Sequence, residues 1–135
     1  MSRSLLALLG FVSWTLALLV LMEAIRAKLV MTKAVPANGF SPDNANLSPF
    51  MQRLARAHAN CLEGLPIFGG LLIIAVLAHK THVTDPLAYV FVGARIAQSL
   101  IHLTSTSSAA VTARFTAFAV QMGIGVYWAY KLHGA

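Results

Sequence analysis

Long apolar runs separated by short polar breaks dominate the chain. Residues 4–22 are almost uniformly apolar, and the run continues through Glu23, Ile25 and Leu29, so the pattern predicts a first helix over 4–31. About 20 apolar residues cross a bilayer core. The run exceeds the length of a signal-peptide core and lacks a small-residue cleavage pattern, so it is read as an uncleaved span. Between Thr32 and Pro49 the composition switches to turn formers: Pro36, Asn38, Gly39, Pro42, Asp43, Asn44 and Asn46. Ser48-Pro49 then supplies an N-cap and a first-turn proline for a second helix over 50–78, with a kink expected at Pro66. After a short loop over 79–85, Asp85-Pro86 marks the start of a third helix, 87–103. A small polar turn, Thr104–Ala110, leads to a fourth, 111–132, whose Tyr127, Trp128 and Tyr130 form an interfacial aromatic belt.

The fold class that follows is all-α, an integral membrane four-helix bundle in a single domain over 1–135, with loop 32–49 as its one long polar connection. Composition agrees. Hydrophobic residues make up 58% and charged ones 10%, against about 25% charged in a soluble domain. The net charge of +6 raises the question of nucleic acid, but no basic patch is interleaved with aromatics, so no nucleic-acid partner is expected. Membrane lipid is the partner that remains. Arg26, Lys28, Lys33, Arg53 and Arg56 flank or lie in the long loop, whereas Arg3, Lys80 and Lys131 lie at the other end. That asymmetry places loop 32–49 in the cytoplasm and both termini outside. A lone cysteine, Cys61, permits no intrachain disulfide, and the scattered histidines (58, 79, 82, 102, 133) form no metal-ligand spacing. No span carries enough paired polar groups to line a through-path, which argues against a channel.

Candidate chemistry lies on two helix faces. Arg56, Asn60 and Glu63 follow one another at i, i+4 and i+7, and Arg95, Gln98 and His102 at i, i+3 and i+7. Each set therefore shares one face. Arg95 stands in mid-span, where an unpaired charge costs about 3 kcal/mol or more, so it must face a bundle interior or aqueous cavity. Glu63 is its expected counter-ion, with the two stripes facing each other. These groups either hold the helices together or line a site for a small anionic ligand near the cytoplasmic face. The surplus of cation, with Arg26, Lys28, Arg56 and Arg95 against Glu23 and Glu63, points to the ligand.

The segment Arg56-Ala-His-Ala-Asn60-Cys-Leu-Glu63, followed by Pro66 and an apolar span, resembles the signature Arg-Ala-His-x-Asn-x-x-Glu of the MAPEG family, the membrane-associated proteins of eicosanoid and glutathione metabolism. The segment Arg26–Lys33 is similar to that of bacterial members. The resemblance implies a homotrimer of four-helix bundles in a bacterial inner membrane. Glutathione would lie between subunits, with a small lipophilic substrate arriving from the bilayer. By position it implies Arg26, Arg56, Asn60 and Glu63 as glutathione contacts. Gln98 and His102 stand where family enzymes carry a histidine and a tyrosine, and Arg95 and Arg114 are the groups left to stabilise a thiolate. Ala59 and Phe115 replace an arginine and a tyrosine of those enzymes. The implied function is a glutathione-dependent transferase or peroxidase. The alternative is a non-catalytic member that binds lipid or a partner protein.

Overall fold

Four helices account for nearly all of the computed structural model, which describes residues 1–134: α1 (Arg3–Met31), α2 (Pro49–Leu77), α3 (Thr81–Thr104) and α4 (Ser108–Gly134). Each is long and apolar enough to cross a membrane, and no strand occurs among the described residues. The chain is a multi-pass integral membrane protein. α3 packs against all three other helices, whereas α1 and α4 flank it on separate sides.

Local chemistry sets the boundaries. Ser2 caps α1 by accepting from Leu5 N at 3.1 Å, and Ser48 caps α2 by accepting from Met51 N at 3.3 Å, with Pro49 in the first turn. Pro66 does not break α2. Over Leu65–Gly69 the helix widens into a single π-helical turn, which takes up the missing donor, and α-helix resumes at Gly70. α3 opens at Thr81, ahead of the Asp85-Pro86 pair that reads as its start, and Pro86 falls inside the helix. Two things favour the early start. Val83 and Thr84 are buried against the bundle, and Asp85 is engaged as a cap for another helix. Its Oδ1 accepts from Ser4 N at 2.8 Å and from Ser4 Oγ at 2.6 Å, while Ser4 Oγ also bonds Thr84 Oγ1. Asp85 thereby ties the start of α3 to the start of α1.

Lipid is as apolar as the helices, so their association depends on shape and specific contacts rather than on hydrophobic exclusion. The apolar layer is built on Phe91 of α3, fully buried, which meets one aromatic ring from each other helix: Phe11 at 5.7 Å, Phe68 at 5.0 Å and Trp128 at 5.6 Å between centroids, all tilted. Such pairs contribute about 0.5–1.5 kcal/mol each beyond their burial. Glycines permit two of the close approaches. A Cβ on Gly125 would lie 2.8 Å from Phe68 Cε1, and one on Gly69 3.2 Å from Leu8 Cδ1, whereas Gly70 and Gly123 face open space. Small-residue packing thus operates at one glycine of each pair.

The connection over 32–48 is pinned to the helices. Asn44, fully buried in a left-handed conformation (φ 57°), donates from Nδ2 to Met51 O at 2.8 Å. Its Oδ1 accepts from Arg26 Nε at 3.1 Å and Nη2 at 2.5 Å. Asp43 beside it accepts from Ser41 Oγ and Ala45 N, and those bonds hold its carboxyl below the usual carboxylate range.

Replacing Asp85 with alanine strands Ser4 N in the first turn of α1. It is expected to cost about 1–3 kcal/mol, read as a lower midpoint of thermal loss of helical circular dichroism in detergent. Asp85→Asn, which keeps an acceptor, loses less, and an unchanged midpoint for Asp85→Ala would refute the cap.

Candidate functional site

Below the Phe91 layer, towards the 32–48 connection, the interior turns polar. On α3 the buried face continues from Phe91 through Arg95, Gln98, Ser99 and His102, so the stripe foreseen on this helix points into the bundle. The stripe on α2 points the other way. Arg56 and Glu63 are exposed on the outside of the chain and Asn60 is half-buried, while Ala57, Cys61 and Gly64 occupy the inward face. Of the α2 stripe only Asn60 therefore reaches the α3 stripe, and Glu63 is not the counter-ion of Arg95. Among the described residues the one ion pair is Arg26–Glu23, at 3.0 Å. The reason is rotational: α2 turns about 100° per residue, and it is Gly64, next to Glu63, that meets the guanidinium.

Arg95 is wholly buried. Its Nη1 donates to Asn60 Oδ1 in a short bond and to Asn60 O at 3.4 Å, while the guanidinium carbon stands 5.2 Å from the Phe11 centroid and 5.9 Å from that of Phe118. Nε and Nη2 have no hydrogen-bond partner among the described residues. A Cβ on Gly64 would sit 2.7 Å from Nη2. The absence of a side chain at Gly64 is what lets the guanidinium reach the backbone of α2.

The Arg95 bond also orients Asn60. A guanidinium is donor only, so Asn60 must present Oδ1 inward and its amide N–H groups outward. Outward lies a groove of about 620 Å³ between α2 and α4, lined by Asn60, Glu63, Gly64, Phe68, Phe118 and Met122 among others. Polar donors and a carboxylate thus mark one end of an otherwise apolar groove. Arg56 lies one helical turn before Asn60 on the same exposed face.

Two further pairs tie α3 to α4. Arg114, half-buried, lies with Nη1 3.2 Å from His102 Nδ1. Since arginine only donates, His102 accepts at Nδ1 and carries its proton on Nε2. Gln121 Nε2 donates to Gln98 Oε1 at 2.8 Å. Arg53 Nε donates to Leu103 O at 2.9 Å, and Cys61 Sγ lies 3.4 Å from Ser99 Oγ.

The sequence-derived residues thus divide into two sets. Asn60 and Glu63 share the groove, with Arg56 beside them on the same face. Arg95, Gln98 and His102 form the polar interior behind it, and Arg114 joins them from α4. Arg26 stands apart: it bonds Asn44, the carbonyls of Ser41 (3.3 Å) and Pro42 (3.5 Å), and Glu23, and it lies 5.5 Å from the Phe40 centroid. Most of its donors therefore hold the loop. Sequence reading passed over Gly64 and Gln121. A lone amide in an apolar span announces a buried partner, so Gln121 could have been found, whereas nothing in the sequence distinguishes Gly64 from a lipid-facing glycine.

Gly64→Ala forces apart a guanidinium and a backbone that cannot both yield, because Asn60, Phe11 and Phe118 hold Arg95. The expected loss is about 1–3 kcal/mol of stability by thermal melting in detergent. Gly70→Ala, with open space around it, serves as the comparison and should be near neutral.

Neither the curated proteins nor the solved structures compared with this chain yield a match. The MAPEG family model, however, matches residues 4–133. That match covers nearly the whole chain, all four membrane-length helices included, and the protein belongs to the MAPEG family, as a membrane protein of the glutathione and eicosanoid metabolism type.

Proposed function

We propose that the protein is a glutathione-dependent transferase or peroxidase acting on a small lipophilic electrophile that enters from the bilayer. The observation that carries this reading is the outward face of α2, where Arg56, Asn60 and Glu63 stand at the head of an apolar groove. Charged groups on the outside of a membrane bundle need cover, and a neighbouring copy in a homotrimer supplies it. Glutathione then lies between subunits. Its two carboxylates take the guanidinium of Arg56 and the outward amide of Asn60, and its ammonium takes Glu63. Arg26, occupied by the loop, contributes chiefly through its charge. The apolar groove receives the electrophile.

The thiol must ionise near neutral pH, which a nearby cation promotes. Arg95 holds two unpartnered N–H-bearing nitrogens directly behind Gly64, and Arg114 stands beside His102. These arginines stabilise the thiolate, with Gln98 and His102 keeping their surroundings polar. With a chlorinated aromatic acceptor, the thiolate forms the carbon–sulfur bond, chloride departs and the thiol proton passes to solvent. The surplus of basic residues beside loop 32–49 supports a cytoplasmic loop, and the likeness of Arg26–Lys33 to bacterial members supports a bacterial inner membrane as the location.

The alternative reading is a non-catalytic member that binds lipid or a partner protein. Ala59 and Phe115 favour it: both are exposed and neither offers a donor to a thiolate.

Isothermal titration of the detergent-purified protein with glutathione should give saturable binding at millimolar concentrations or below, and Arg56→Ala should weaken it about tenfold or more. No saturable binding would sink the glutathione reading. In a turnover assay with a chlorinated aromatic acceptor, Arg114→Ala is expected to lower kcat more than it raises KM for glutathione. Binding without any turnover in the unaltered protein supports the non-catalytic alternative.

A further inference from the structure

A second cavity, of about 600 Å³, opens at the opposite end of the bundle from loop 32–48. The first turn of α3 and the last turns of α4 form it, and His82, Val83, Tyr127, Tyr130, Lys131 and His133 line it. Its polar side chains are an ammonium, two imidazoles and two phenols, all able to donate hydrogen bonds. Among the described residues no carboxylate lines it. Asp85, the one acidic residue on α3, is engaged with Ser4, and α4 has no acidic residue. The N-terminal end of α3 favours an anion, whereas the C-terminal end of α4 favours a cation, and at that end Lys80 Nζ already lies 3.5 Å from Leu132 O. Lys131, His82 and His133 are exposed and are left over for something else.

The aromatic residues locate the cavity. Tyr127 and Tyr130 are exposed at the end of a membrane-length helix, where phenols sit at headgroup level with the ring among the upper acyl carbons. A ligand here meets donors on its outer side and rings on its inner side. We propose that this cavity binds the phosphate of an anionic phospholipid headgroup. Lys131 and His133 of α4 and His82 of α3 bond its oxygens, and the two tyrosines flank the glycerol and the first carbons of the chains. The site joins α3 to α4 at the end where, apart from Lys80, few polar contacts do so. It is separate from the glutathione site and does not depend on it.

The test uses the full-length protein reconstituted in vesicles of equal parts phosphatidylglycerol and phosphatidylcholine, with lipid retained after gentle detergent extraction identified by native mass spectrometry. Each basic group near a headgroup is worth about fivefold in anionic-lipid preference. Phosphatidylglycerol should therefore be retained at least about fivefold over phosphatidylcholine, and Lys131→Gln/His133→Gln should remove most of that preference. Arg3→Gln, which removes a charge from the same end of the bundle without touching the cavity, should leave it intact. The unaltered protein decides first: equal retention of the two lipids overturns the proposal, whatever the variants do. An equal loss with Arg3→Gln also overturns it, because generic surface charge would then suffice. If millimolar inorganic phosphate binds and phosphatidylglycerol does not compete with it, the ligand is free phosphate and the lipid assignment fails.

Discussion

A guanidinium buried in the middle of a membrane-spanning bundle is the constraint on which the rest of the structure depends. Arg95 cannot be left to lipid, and one side-chain oxygen cannot satisfy it. The surroundings answer in three ways. Asn60 accepts its shortest bond, Phe11 and Phe118 present ring faces to the charge, and Gly64 gives up a side chain so that α2 can approach. α1 and α4 each supply one of these contacts and α2 supplies two, so the position of Arg95 couples all four helices. The bond to Asn60 also carries an interior requirement to the outer surface, since it decides which end of the amide faces the groove.

α3 divides the labour along its length. Towards the termini its buried face, past the Thr84–Ser4 contact, is apolar and ends on Phe91, where one ring from each other helix converges. Towards the long loop it becomes polar, with Arg95, Gln98 and His102 reaching α2 and α4. The apolar layer supplies packing, and the polar layer supplies direction, because hydrogen bonds in a dry interior permit few alternative rotations of one helix against another. The site belongs to the second layer for this reason. A polar group can be aimed only where its back is held.

How far the sequence foretells this depends on the length scale. Span number, the cap at Ser48 and the grouping of Arg56, Asn60 and Glu63 on one face follow from composition and helical period, which act locally. Pairings between helices do not. Glu63 looks like the partner of Arg95 because opposite charges attract, yet one residue of rotation presents Gly64 instead, and a neutral amide carries the bond. Arg26 reads as a free cation at a helix end, yet the loop folds back on it, and that return rests on the left-handed backbone at Asn44. The start of α3 departs from the Asp85-Pro86 signal for a similar reason: Asp85 caps a helix far away in sequence rather than its own.

The anchoring of the 32–48 connection has an evolutionary corollary. Asn44 and Arg26 fasten its second half to α1 and to the start of α2, backbone bonds to Leu29 O and Val30 O hold residues 33–35 to the end of α1, and residues 36–38 have no bond to either helix among the described residues. Lengthening a flexible loop changes its closure entropy only slowly. Added or lost residues are therefore accommodated most cheaply between Val35 and Phe40. The length of the connection can change there without moving Asn44 off Arg26, so the geometry at the start of α2 is insulated from the distance the chain travels to reach it.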